Sequence, residues 1–460
     1  MTAHKHFKQL VRERMKKTGE RYAAARRNLL SEHSEPPLDP AARWHQPGQI
    51  PAATALRVLL NAAGVPNSLG SGGWTEEAAF GLAGGIGIGV AAFLYEKEDF
   101  ASFYVAGRHL WHDFEAYFRG ALDPLGVRPQ VRESGGSNAA EANLREALSA
   151  GRPCIAWVDA PSLPHRGMPE WMRGGGYHVV TVYAVDDSKG TVLIGDASDA
   201  PIELPLETLT AARGRIKKDK HRLLWIESDG SGAERAASDT ASLIRDALRR
   251  CAEGLVSRPI KQAGDMFHLD GLGKWAERMH GKASKESWSH VFPRGGRLWQ
   301  GLTSVFEYIE HYGTGGGLSR AMFARYLGAA SRTVKTLDHR AVTKLVRQLD
   351  GLAEHYAALG AAWSALADAA LPDHVPLFRE AKDLLTRKAE LWADVGPEAT
   401  EEIRAVWSRL GELSRAAKAD FPLSDAECDA LRADLRGRIE QIHAAEVAGL
   451  ELLRSASGAV

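Results

Sequence analysis

The pattern of hydrophobic and polar positions divides the chain into a mixed region and a helical one. PAATALRVLLNAAG puts Ala53, Leu56, Leu59 and Leu60 on one helical face, with Gly64 as the stop. WTEEAAFGL starts a second helix, with Thr75 as N-cap and acidic residues in the first turn. Strands follow in CIAWVDA, HVVTVYAVDD, TVLIGDAS and HRLLWIES, each bounded by Gly, Asp or Ser. Two of them flank DDSKG, which predicts an antiparallel hairpin. From Ser238 onward the pattern is helical, punctuated by Pro372, Pro376, Pro397 and Pro422. This predicts an all-α domain of roughly five to seven helices.

Ahead of these regions lies a basic arm, residues 1–35. Phe7, Leu10, Val11, Met15 and Tyr22 recur at helical spacing among many Lys and Arg, with a break at Thr18-Gly19. Two readings stay open: a helical cap on the main domain, or a docking arm for an acidic partner or nucleic acid. No aromatic interleaving or DNA-reading pattern accompanies the charge. The Pro-rich SEHSEPPLDP and the Gly/Ser-rich SDGSGAERAASD mark boundaries. The expected division is the arm at 1–35, an α+β domain at 40–230 and an all-α domain at 238–460. FGLAGGIGIGVAAFL is apolar but shorter than the ~20 residues a spanning helix needs, so it is expected to be buried core and not a membrane segment.

Charge and cysteine usage narrow the classes. The 460 residues carry 58 basic and 58 acidic side chains, formal net charge +0, so no global field draws the chain to nucleic acid or anionic membrane. Cys154, Cys251 and Cys428 have no metal spacing and form no disulfide framework, which favours a reducing compartment. The N-terminus is charged from Lys5 onward with no apolar signal core, and a cytoplasmic location is expected.

The chemistry concentrates in GGGYHVVTVYAVDD-SKG-TVLIGDAS. His178 begins one strand after a glycine run, and Asp196 ends the next. If these strands pair with a turn near residues 188–190, the two side chains meet at one end of the sheet. A carboxylate there can hold the imidazole tautomer that leaves the other ring nitrogen free to accept a proton. The alternative is a strand-end histidine and a turn aspartate with no joint role. A His–Asp pair commonly serves a nucleophile at a helix N-terminus upstream. The matching helix start reads Gly48-Gln49-Ile50-Pro51-Ala52-Ala53-Thr54 and holds no cysteine. Gln49 can donate to an oxyanion, Pro51 is an ordinary first helical residue, and Thr54 is the only hydroxyl.

Weaker candidates stand beside this one. GLAGGIGIG is not a dinucleotide fingerprint, since no strand precedes it, and is read as tight packing. GTGGGLSR, residues 313–320, is either an anion cradle with Arg320 or a turn. His109 and Asp113 lie i, i+4 without a third ligand, which favours an amphipathic helix over a metal. Trp275, Trp288 and Trp299 are expected in the core. No cofactor or metal is indicated.

Taken in order, ATALRVLLNAAG, TEEAAFGLAGGIGIG, GRPCIAWVDAPSLPH, HVVTVYAVDD…VLIGDAS, GLGKWAERM, YGTGGGLSRAMFARYL and FPLSDAE resemble the proteins related to butirosin biosynthesis protein H. The resemblance covers residues 43–456. It implies a papain-like, cysteine-peptidase-type α+β domain with an antiparallel sheet, similar to bacteriocin-leader peptidases, followed by a helical domain of unknown function. It implies transfer of an acyl group from a carrier protein's thioester to an amine, with His178 as general base and Asp196 as its orienter. Family members commonly carry His-Cys at the start of the first helix, where this chain has Ile50-Pro51. Cys154, inside a strand, does not substitute. The expectation is an acyltransferase or amide-bond enzyme of specialised metabolism impaired by Pro51, with Gln49 and Pro51 at the substrate-binding helix start. The alternative is a degenerate module or scaffold that binds an acyl carrier protein or peptide without turnover.

Overall fold

The computed structural model describes residues 13–15, 17, 43–107, 113–227, 240–259, 263–279, 284–337, 342–394 and 396–458. Of the arm, residues 13–15 and 17 are helical; the rest of it and the position of His109 fall outside these residues.

The first helix, α1 (Pro51–Ala62), forms where the periodicity places it, and Gly64 follows with φ 68°. In α2 (Glu76–Leu82) the Thr75 hydroxyl accepts from the Ala78 N–H at 3.3 Å. The apolar run after it is buried only as far as Ala91. Its end enters a hairpin that the sequence reading missed, β1 (Gly89–Tyr95) and β2 (Phe100–Ala106), with Phe93 39% exposed. In α3 (Phe114–Leu122) Asp113 acts as N-cap, its Oδ1 accepting from the Ala116 N–H at 2.9 Å. The chain continues through β3 (Pro129–Arg132), α4 (Ser137–Leu148), β4 (Cys154–Asp159), β5 (Tyr177–Asp186), β6 (Thr191–Gly195), β7 (Ile202–Pro205), α5 (Leu206–Arg215) and β8 (Leu223–Ile226).

Beyond residue 238 every described element is helical, nine α-helices and one 3-10 turn. They are α6 (Thr240–Val256), α7 (Leu269–Met279), α8 (Trp288–Val291), α9 (Gly296–Glu310), a 3-10 turn (Gly317–Ser319), α10 (Arg320–Lys335), α11 (Val342–Ala370), α12 (Pro376–Ala393), α13 (Pro397–Ala419) and α14 (Asp425–Ser457). The fold is therefore α+β with antiparallel pairing, followed by an all-helical region.

In space the chain divides differently from the sequence boundaries at 40–230 and 238–460. Of the described residues, those within 1–62, 131–225 and 387–405 form one compact unit, and those within 63–130, 226–386 and 406–460 form the other.

The first unit is built on a six-stranded sheet in the order β3-β8-β4-β5-β6-β7. Central β4 is buried along its whole length and pairs antiparallel with β5, Val158 opposite His178. The expected β5–β6 hairpin forms, with Asp186 opposite Thr191 and Thr181 opposite Gly195, and a bulge between Val182 and Ala184. Its turn is tightened by Asp186 Oδ1, which accepts from the Ser188 N–H at 3.0 Å and the Lys189 N–H at 3.2 Å. Alternate residues Cys154, Ala156, Val180, Val182 and Ile194 pack with Leu144 of α4 and Leu206, Leu209 and Ala212 of α5. Truncating Leu209, fully buried there, would cost about 2–5 kcal/mol.

The second unit encloses Phe103, Trp275, Trp288 and Phe292, whose rings meet at centroid distances of 4.6–6.3 Å. Trp299 is buried as well. The GTGGGLSR segment is not an anion cradle. Arg320 is fully buried and donates to Glu446 Oε1 at 2.8 Å, to the Leu318 carbonyl at 2.8 Å and to the Gly87 carbonyl at 2.9 Å. These contacts commit the guanidinium to protein acceptors. They also explain the glycines: Gly317 lies at φ 51°, and a Cβ there would sit 2.5 Å from the Gly360 carbonyl oxygen. Among the described residues no helix is long and apolar enough to cross a membrane.

Candidate functional site

Asp196 follows the last residue of β6, and His178 is the second residue of β5. Antiparallel pairing brings both to one end of the sheet, and His178 Nε2 lies 2.5 Å from Asp196 Oδ1. The two side chains are thus adjacent, as the strand pairing predicts.

A loop from β4 to β5, residues 160–176, adds two side chains. Asp159, at the end of β4, anchors this loop. Its Oδ1 accepts from the Gly174 and Gly176 N–H groups, each at 3.0 Å, and its Oδ2 accepts from the Ser162 hydroxyl at 2.6 Å. Gly176 must be glycine, because a Cβ would stand 2.2 Å from Pro161 Cδ. Within the loop a 3-10 turn, Pro164–Arg166, ends on Gly167 at φ 57°. This turn presents His165 and Arg166 to Asp196.

The carboxylate is surrounded by donors. Arg166 binds it bidentately, Nε to Oδ2 at 2.7 Å and Nη2 to Oδ1 at 2.6 Å, and His165 Nε2 donates to Oδ2 at 2.7 Å. Arg166 Nη2 also lies 3.0 Å from His178 Nε2. An ionised carboxylate oxygen at 2.5 Å requires a proton on His178 Nε2. The ring therefore takes the tautomer with Nδ1 bare, and Nδ1 makes no hydrogen bond among the described residues. His165 is held likewise, with a buried Nδ1 that lacks a partner.

Burial and neighbouring charges set the protonation states. Burial draws His178 below the ordinary imidazole value and Arg166 draws it further, against the opposing pull of Asp196. Burial alone would raise Asp196, but Arg166, His178 and His165 outweigh it and hold the carboxyl well below its usual range. At neutral pH the cluster is thus one carboxylate, one guanidinium and a neutral His178. Protonating His178 would leave the group with an excess positive charge, because Arg166 already balances Asp196.

No thiol joins this cluster. Pro51 is the first residue of α1, after exposed Gln49 and buried Ile50, and neither Gln49 nor Pro51 is a hydrogen-bond partner of the four clustered residues. Thr54 is buried against the backbone of Gly48. All three cysteines are buried. Cys154 lies four residues along β4 from Val158, the partner of His178, a separation of about 13 Å. Burial pushes its thiol up to about 12.

The chain leading into α1 is tied to the turn after Asp196. His45 Nε2 lies 3.0 Å from the Ser198 carbonyl oxygen and Nδ1 3.1 Å from the Tyr183 hydroxyl. Among the described residues no group of three or more His, Cys, Asp or Glu is arranged to hold a metal. In the cluster both histidines turn Nε2 toward the carboxylate, and a guanidinium stands between them.

His165 and Arg166 were not singled out from the sequence. They lie on an irregular loop without periodicity, and their one local signal is the bracketing Pro164 and Gly167.

No curated protein matches the chain. Two families do: butirosin biosynthesis protein H, N-terminal, matches residues 51–197, and domain of unknown function DUF4872 matches residues 206–375. The first match contains α1, both strands of the β5–β6 hairpin and the four clustered residues His165, Arg166, His178 and Asp196. In that order the two domains make the chain a member of the butirosin biosynthesis protein H-like family.

Proposed function

We propose that this chain belongs to specialised metabolism and binds the acyl or peptidyl group of a carrier-borne or peptide substrate in a papain-like cleft, without forming a covalent acyl-enzyme. His178 is the general base, Asp196 its orienter, and the start of α1 around Gln49 and Pro51 receives the carbonyl. The observation that supports this most directly is the bidentate Arg166 on Asp196. A cysteine-based site works through a thiolate–imidazolium pair, and a free carboxylate or amide stabilises the imidazolium. Here the carboxylate charge is balanced by Arg166, and His178 stays neutral. A neutral imidazole with a bare Nδ1 suits removal of a proton from an incoming amine or water. Pro51, a ring carbon where relatives carry a thiol, fits the same reading.

The test is intact mass spectrometry after incubation with activated thioesters. Wild type should bind them and show no adduct. Pro51→Cys should acquire one acyl group per chain, and Pro51→Cys with His178→Ala should not. Turnover by wild type without an adduct, lost on His178→Ala, would establish direct attack by an amine or water with His178 as its base. An adduct on wild type would refute the reading.

A further inference from the structure

The second family match ends at residue 375, yet residues 387–405 belong to the same compact unit as the candidate site. This segment joins the end of α12 to the start of α13. Its contacts with the site loop are specific. Trp392 Nε1 donates to the Arg166 carbonyl at 3.1 Å, and the Arg166 guanidinium carbon stands 5.2 Å from the centre of the Trp392 ring. The fully buried Lys388 places Nζ 5.4 Å from the same ring. Two further contacts fix the segment: the Ala393 carbonyl accepts from the Asp199 N–H at 2.8 Å, and Ile403 fills the space where a Cβ on Gly167 would fall, 2.7 Å away. Arg387 and Glu402 close its base, with Nε to Oε1 at 2.8 Å and Nη2 to Oε2 at 2.9 Å.

We propose that Trp392 is a positioning residue for the site, holding both the backbone and the guanidinium of Arg166 so that Arg166 stays against both Asp196 and His178. This rests on the reading of His178 as the base. The hydrogen bond fixes the carbonyl end of Arg166, and the ring face attracts the cation at the other end. A free arginine on an exposed loop would sample many rotamers. Bracketed by the Asp196 carboxylate and an indole, it has one. The charged and titratable groups around His178 are Asp196, Arg166 and His165, with Lys388 across the indole. Releasing Arg166 removes a positive charge from beside His178, frees the Asp196 charge for it and admits water. All three effects raise the affinity of His178 for a proton.

The experiment follows the titration of [13Cε1]-histidine resonances in the full chain, with His178 identified through His178→Gln. Trp392→Ala should move the His178 midpoint upward by about one unit. Trp392→Phe keeps a ring face without the donor and should restore most of the wild-type value. His221, which packs against Gly214 and is lowered by burial and Arg213, serves as the reference within the same unit. An unchanged His178 midpoint in Trp392→Ala overturns the proposal. So does a parallel shift of His178 and His221, which would signify general loosening. The measurement requires no turnover. A selective His178 shift in a protein that binds no acyl group would retain the positioning role and remove the functional reading.

Discussion

Each unit contains a buried arginine–carboxylate pair, and the two are built for different ends. In the second unit Arg320 and Glu446 are both fully buried, and Glu446 Oε1 also accepts from Trp363 Nε1 at 2.9 Å. The other acceptors of Arg320 are carbonyls, fixed groups that do not titrate. In the first unit Arg166 and Asp196 share their bonds with two histidines that are 12–13% exposed. The Arg320 pair cross-links α10, α14 and the segment before β1. The Arg166 pair sets the proton state of an imidazole whose second nitrogen is open. The same ion pair is closed off where carbonyls complete its bonding, and faces titratable imidazoles where it stands at one end of a sheet.

The largest effect should come from breaking the fully buried pair. Glu446→Ala leaves a buried, uncompensated guanidinium and is expected to cost about 3–5 kcal/mol, whereas Arg320→Met with Glu446→Leu strands no charge, only the Leu318 and Gly87 carbonyls and the Trp363 indole N–H, and should cost less. Asp196→Asn keeps one acceptor oxygen and turns an NH2 toward the remaining donors, at a partly open site, and should cost less, about 1–3 kcal/mol. Urea unfolding of the three variants ranks them; equal costs for Glu446→Ala and Asp196→Asn would abolish the distinction.

Acid should distinguish the units next. Burial lowers His45 to about 4, and its bonds to Ser198 and Tyr183 suit the neutral ring. The unfolded chain takes up a proton near 6.5, while the folded chain does not until about 4. Stability from this group is therefore complete above 6.5 and declines as pH falls from 6.5 toward 4, by up to about 3 kcal/mol. His178, lowered too, adds with the same sign. No histidine is among the hydrogen-bond partners of Arg320 or Glu446. His45→Gln should flatten the urea midpoint between pH 6.5 and 4.5, and an undiminished slope would contradict the assignment.

The smallest expected signal is from the thiols. Cys154 and Cys428 are both raised by burial, so native protein at neutral pH should resist iodoacetamide. Rapid labelling of Cys154 that disappears in His178→Ala would place a nucleophile where the reading has none.

The part of the site legible in the sequence was the part governed by local periodicity. His178 lies near the start of β5 and Asp196 just after the end of β6, and the tight Asx turn that joins these strands puts both at one end of the sheet. The α1 and α2 boundaries were legible through Pro51, Gly64 and Thr75. His165 and Arg166 were not, because an Asp159 latch and close contacts at Gly167 and Gly176 shape their loop, and these depend on residues distant in sequence. The β1–β2 hairpin was hidden by a glycine-rich apolar run whose alternation begins only at its end, and whose turn uses Asp99 at φ 47° in place of a glycine. Trp392 was beyond reach: no period or motif relates it to a loop 226 residues earlier.

That separation bears on synthesis. The sheet of the first unit is fully translated once residue 226 has been added, but the indole behind Arg166 comes more than 160 residues later. At about 5–20 residues per second this is a delay of roughly 8–33 s. During it, Arg166 and the loop carrying it have only the Asp159 latch and Asp196 to hold them. A ribosome-bound chain stalled before residue 387 should therefore have its sheet paired and its His178 region open, and the site would become complete only after the segment around Trp392 has been added.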